Sequence, residues 1–114
     1  MTDKIKTKRK RWLEPQHDPR ESFYRKAHVE ATQYEGDDYS TKSDLYSYQT
    51  KVASVTTNPE TGEEKAIVYL DSYPPISPTS LRHVKEFLKQ YGFKADTKKQ
   101  VERDYGTTGW FENQ

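Results

Sequence analysis

The sequence predicts a small two-layer α+β domain, an antiparallel β-hairpin packed by a C-terminal helix, with an N-terminal helix and a flexible basic arm in front of it. Three observations predict it. Ser77 to Phe93 carries a start, an apolar stripe and a stop for one helix; two segments rich in β-branched and aromatic residues flank a Pro/Gly turn; and the first sixteen residues are polar and basic with no apolar period. The expected division is a basic arm over 1–16, an N-terminal helix and linker over 17–43, and a core domain over 44–114.

The C-terminal helix has the fullest set of signals. Ser77 is its candidate N-cap, with Thr79 as a competitor, and Pro78 suits the first helical position. Leu81, Val84, Phe87, Leu88 and Tyr91 recur at three- and four-residue steps and share one face. Gly92 provides the left-handed residue past the end, and Phe93 stands where a Schellman motif folds it back onto Leu88. The strands are expected over Leu45 to Thr56 and Lys65 to Tyr73, joined by the turn Asn58-Pro59-Glu60-Thr61-Gly62 and stopped by Pro74-Pro75. Thr97 and Gln100 make a capping box for a short last helix that presents Val101 and Tyr105 before Gly106.

The first forty residues read more thinly. Asp18-Pro19-Arg20-Glu21 has the form of a helix start, and Phe23, Ala27, Ala31 and Tyr34 share one helical face, so a helix to about Tyr34 is expected, then a linker from Gly36 to Ser43. Only 31% of the chain is hydrophobic against 32% charged, with a mean hydropathy of -1.21, so part of it is expected to lie outside any core. Charge is polarised: six Lys and Arg against Asp3 give the first twelve residues +5, while the remaining thirteen Lys and Arg face seventeen Asp and Glu. A lone hairpin is marginally stable, so a second copy pairing edge to edge, the docked N-terminal helix or another protein is expected to complete the fold, a homodimer first.

The run Ser47-Tyr48-Gln49-Thr50-Lys51-Val52-Ala53, followed by Ser77 to Gly92, resembles a small uncharacterised family of Gram-positive bacteria and their phages. That family's pattern is Ser-Tyr-x-Thr-x-Val-Ala, then Ser-x-Thr-Thr-Ser-Lys/Arg-His-Ile, then Phe-Leu-x-Gln-x-Gly. Ser77, Thr79, Ser80, Arg82, His83, Val84, Phe87, Leu88, Gln90 and Gly92 match or conservatively replace it, while Leu81 departs from a small polar residue. The resemblance covers roughly Leu45 to Tyr105 and implies a small phage or bacterial accessory domain, with no activity attached.

Chemistry narrows the function by exclusion. The chain has no Cys, no paired His spacing for a metal, no Gly-rich phosphate loop and no G-x-S-x-G elbow, so neither a metal, a cofactor nor catalysis is expected. No run approaches the ~18 apolar residues of a membrane span, and a cytoplasmic protein is expected. His83, near the border of the apolar helix face beside Arg82, reads either as a general base or phosphate contact, or, more simply, as a structural histidine that bonds a strand carbonyl or caps a loop. Lys6, Lys8, Arg9, Lys10, Arg11 and Trp12 are the candidate nucleic-acid contacts, cations for phosphates and an indole for a base. Tyr46, Tyr48, Tyr69 and Tyr73, with Arg82 and His83, are the candidate protein interface. The expected function is that of a noncatalytic accessory protein that binds a protein partner or itself. An inhibitor of a host defence complex, as anti-CRISPR proteins are, is one version by class analogy. The alternative is a nucleic-acid-binding factor that uses the basic arm.

Overall fold

The computed structural model describes residues 4–19, 22–35, 41–58, 60–71 and 75–107. Five strands, β1 (Lys4–Trp12), β2 (Ala27–Glu35), β3 (Thr41–Ser47), β4 (Thr50–Thr57) and β5 (Glu64–Tyr69), form an antiparallel meander. Two helices, α1 (Pro78–Gln90) and α2 (Lys98–Tyr105), then carry the chain back over the sheet, so that β6 (Gly106–Thr107) lies parallel beside β5. A parallel neighbour requires such a crossover, because no tight turn can return the chain in the same direction. Gly106 is required where α2 runs into β6: a Cβ there would strike the Glu102 carbonyl and the Leu70 side chain.

The core lies between the helices and one face of the sheet. Period-two alternation puts Val29 (β2), Leu45 (β3), Ala53 and Val55 (β4), and Ala66 and Val68 (β5) on that face, all buried. Val84, Phe87 and Leu88 of α1 and Val101 of α2 cover them, and each such side chain contributes roughly 1.5–3 kcal/mol by leaving water. A register shift between Leu45 and Tyr46 places Val52 as an extra residue in β4, and it too is buried. The opposite, open face carries the other residues of each strand, and neither helix covers it.

The helix signals hold in detail. The Ser77 hydroxyl accepts from the Ser80 N–H, Pro78 opens α1, and the Gly92 and Phe93 N–H groups donate to the Lys89 and Leu88 carbonyls in a Schellman closure, with Gly92 at φ +86. Thr97 caps α2 through the Gln100 N–H, while the Gln100 side chain accepts from the Asp96 N–H, one residue before the position a capping box uses.

The hairpin with an N-terminal helix and a flexible arm is overturned, since the sheet has six strands and begins at Lys4. The expected arm is β1, an edge strand: such a strand needs no apolar side chain of its own when its partner supplies the pairing, and lysine is common there because it discourages further pairing. Of the expected helix to Tyr34, residues 22–26 form a loop and Ala27 onward is β2, while Arg20 and Glu21 lie outside the described residues. Ala27 and Ala31 fit a two-residue period through Val29 as well as they fit a helical stripe, and β-branched Val29 and Thr32 favour the strand. Asp18 caps no helix; its N–H donates to Glu86 and its carboxylate meets Arg82. The single strand expected over Leu45 to Thr56 is β3, a turn and β4, and Thr41 to Ser43, expected in a linker, begin β3.

Candidate functional site

The β3–β4 connection is a two-residue hairpin, with Ser47 paired to Thr50 and Tyr48-Gln49 at its tip. Tight hairpins need positive φ at the tip to match strand twist, a place ordinarily taken by Gly or Asn; here Tyr48 holds it at φ +57. A side chain there costs roughly 1 kcal/mol. The Tyr48 N–H donates to the Lys26 carbonyl at 2.6 Å and ties the tip to the loop that precedes β2. In that loop Tyr24 and Arg25 stand at φ +52 and +59, so the three non-glycine positive-φ residues found among the described residues meet at one end of the sheet. Tyr24 is 74% exposed and Tyr48 50%, with Arg25 and Lys26 also exposed and the Lys26 ammonium 5.9 Å from the Tyr48 ring centre.

Beneath this end lies a buried polar chain. Ser47 Oγ is 2.8 Å from Ser80 Oγ and 2.8 Å from His83 Nδ1, and Ser77 Oγ donates to Ser80 Oγ at 3.1 Å. With the single Ser47 proton directed at Ser80, His83 supplies Nδ1–H to Ser47, which defines its neutral tautomer. Burial pushes the imidazole down to about 4; the Asp18 carboxylate opposes that fall and the Lys26 cation adds to it. Phe23 closes the pocket edge-on, 4.7 Å between ring centres. Serine and histidine at this distance have the form of a nucleophile and its base, yet Ser47 is 2% exposed and His83 1%, and the Ser47 proton points away from the imidazole. The chain of hydroxyls latches the end of β3 to the first turns of α1.

One turn further along α1, the buried Glu86 carboxylate accepts from the His17 N–H at 2.7 Å, the Asp18 N–H at 2.9 Å and the Gln90 side chain at 2.8 Å. Burial acts to raise its pKa, but these donors outweigh it and hold the group below the ordinary carboxylate range. Arg82 reaches Asp18 at 3.2 Å on the same loop. Beside this junction runs an open groove of about 410 Å³ along Pro19, Pro78, Leu81, Arg82, Lys85 and Lys89, and an apolar crevice of about 140 Å³ lies under Leu70, Ile76 and Val101. Neither holds a nucleophile paired with a base. No group of three metal-ligating side chains occurs among the described residues.

The sequence pattern of a family of unknown function, DUF8033, matches residues 12–103, most of the chain. The chain belongs to the DUF8033 family. No curated protein and no solved structure matches it. The DUF8033 match takes in the whole latch and the Tyr24 to Lys26 and Tyr48 turns, and leaves Lys4 to Arg11 outside. An uncharacterised small-domain family is thus what the Ser-Tyr and Ser-to-Gly runs belong to, and the latch brings those two runs together in space.

Within this DUF8033 chain, the residues expected to act as one surface are dispersed. Lys8, Lys10 and Trp12 lie on the open face, opposite Thr32, Glu30 and His28, while Arg9 and Arg11 alternate to the other side; the side chain of Lys6 lies outside the described residues. Tyr46 and Tyr69 are on the open face, Tyr48 is in the turn, His83 is buried and Arg82 borders the groove. Tyr73 lies outside the described residues. Tyr46 and Tyr48 do not share a strand face, because the chain reverses between them. Sequence reasoning missed Ser47 as the partner of His83 and Ser80 as the next link, although all three stand in the family-like pattern. It also missed Tyr24 and Arg25, whose only distinction is a backbone conformation that their residue types do not announce. None of the helices is long and apolar enough to cross a membrane among the described residues.

Proposed function

We propose that this DUF8033 protein is a noncatalytic docking module whose contact surface is the sheet end formed by Tyr24, Arg25, Lys26 and Tyr48. The observation that supports the reading is the pair of exposed tyrosines held at positive φ over a rigid buried latch. Left-handed backbone at non-glycine residues is retained where the surroundings over-determine it, and such places are often functional. Tyr and Arg are the side chains that dominate protein interfaces, and a backbone already held in place loses little freedom on binding. Arg25 and Lys26 favour an acidic partner surface. In its finer form the reading is an accessory protein of a phage or mobile element in a Gram-positive host that inhibits a defence complex by surface docking, in the manner of anti-CRISPR proteins. The resemblance of the Ser-Tyr and Ser-to-Gly runs and class analogy support that form.

The test compares wild type with a Tyr24→Ser, Tyr48→Gly variant, in which glycine relieves the turn. Both are used to capture protein from nuclease-treated lysate of a Gram-positive host, and the captured partner is then purified and titrated. A partner that binds wild type at least about tenfold more tightly than the variant, as loss of a hot-spot residue predicts, supports the reading. Equal binding to both proteins removes this surface from consideration.

A further inference from the structure

The open face of the sheet presents two rows that run across the strands. The first begins at Trp12 on the β1 edge, continues to His28 and Tyr46 by direct register, and ends with Lys51, whose ammonium stands 5.8 Å from the Tyr69 ring centre. His28 and Tyr46 stack at 4.8 Å with 4° between their planes, and Trp12 meets His28 edge-on at 6.1 Å. The second row, four residues along, aligns Lys8, Thr32, Lys42, Thr56 and Lys65. Between the rows, Lys10 faces Glu30 and Asp44.

Five lysines against Glu30 and Asp44 give this face an excess of three positive charges, whereas the whole chain has +1, so the remainder is net negative. Glu30 is already paired with Lys8 at 3.1 Å and hydrogen-bonded to His28 at 3.0 Å, and Asp44 stands 3.8 Å from Lys42. Lys10, Lys51 and Lys65 have no carboxylate partner among the described residues. Lysine on an edge strand serves to discourage pairing, and that accounts for β1. It accounts for Lys65 too, since β6 pairs only Val68 and Tyr69 of β5, but not for Lys42 and Lys51 on β3 and β4, which have neighbours on both sides, or for their facing the same way as the aromatic row.

We propose that this open face binds single-stranded nucleic acid, with bases against Trp12, Tyr46 and Tyr69 and phosphates along Lys42, Lys51 and Lys65. An acidic peptide matches the charge but has no use for a row of rings; a single strand matches both, because every base offers a π-face and every linkage a charge. From β1 to β5 the aromatic row spans about 19 Å at the usual strand spacing, room for a few nucleotides. A duplex buries its bases and leaves the row without a partner. The site is separate from the docking end proposed above and stands or falls independently of it.

The experiment titrates the full-length protein into fluorescein-labelled oligo(dT) and oligo(rU), with a duplex of equal length and poly-glutamate as comparison polyanions. ¹⁵N-resolved NMR then maps the bound surface. The expected result is tighter binding to a single strand than to duplex or poly-glutamate, and amide shifts at Tyr46, Lys51 and Tyr69. Tyr46→Leu, which keeps an apolar side chain, weakens binding about tenfold, as loss of one stacked base predicts. A Lys42→Gln, Lys65→Gln variant lowers the slope of log affinity against log salt by about 1.4, or about 0.7 for each lysine that no longer meets a phosphate. Absence of binding at low salt overturns the proposal. So does binding equal for all polyanions, unaffected by Tyr46→Leu and with shifts confined to β1, which means adhesion to a basic edge alone.

Discussion

His83 couples the fold to pH. Buried and neutral, it has a folded value of about 4, while the unfolded imidazole takes a proton near its ordinary 6.5. Between these values the unfolded chain binds the proton and the folded chain does not, so stability is full above 6.5 and falls as pH drops towards 4. At 1.36 kcal/mol per unit the loss is at most about 3 kcal/mol. Urea denaturation at pH 7.5 and 4.5 measures it, and His83→Gln should flatten the difference. Glu86 acts in the same direction at lower pH, since its depressed folded value makes its contribution present above the ordinary carboxylate range and lost as acid protonates it. Ser47→Ala leaves the His83 Nδ1–H without its partner, while Ser80 keeps Ser77, and should cost about 1–3 kcal/mol in the same assay. Tyr48→Gly should raise the midpoint by an amount equivalent to about 1 kcal/mol, because it removes a side chain from left-handed backbone. A fall instead would show that the Tyr48 ring contributes more to packing against His83 than its backbone costs.

At the scale of elements, the latch and the Glu86 junction both tie α1 to the sheet and its first loop. Glu86→Ala strands the His17 and Asp18 N–H groups, and a loss of about 2–3 kcal/mol is expected, with faster amide exchange at residues 16–18 as the local readout. The status of β1 is tested by removing residues 1–11. A flexible arm could be deleted at no cost. An integral strand cannot, since Leu13 is fully buried where β1 leaves the sheet and Val29 and Ala31 lose their neighbours. The truncated chain should therefore show a clearly lower denaturation midpoint and protease sensitivity within β2. Gly106→Ala should destabilise by about 1–3 kcal/mol, the usual cost of overpacking, because α2 and Leu70 leave no space for a methyl group.

For the whole molecule, the sheet topology alters the expectation of a homodimer. Its edges are β1, dense in lysine and arginine, and on the far side the two-residue β6 together with the stretch Glu64 to Ile67 of β5 that β6 does not reach. Two copies pairing through β1 would set like charges opposite one another, which opposes association at low salt. Sedimentation at low ionic strength should give a monomer; a dimer there would locate self-association on another surface. α1 with its caps, the turn closed by Gly62 onto Asn58, whose Pro59 lies outside the described residues, and α2 were legible in the sequence because each is local: stripe, cap and stop lie within about fifteen residues. Residues 4–35 were misread because an edge strand and its neighbour draw their order from partners far along the chain. Ala27 and Val29 acquire a buried face only when Leu45 and α1 arrive, and Lys4 to Arg11 carry a single apolar residue, Ile5, and no apolar period. Likewise Ser47 and His83 were both visible, but thirty-six positions along the chain separate the hydroxyl from the ring it meets. The sequence alone determined the helices, the turn chemistry and the polarised charge, since these depend on neighbours along the chain. Tertiary structure decided the number of strands, the burial of His83 and the alignment of rings and lysines on one open face, since these depend on which segments pair across space.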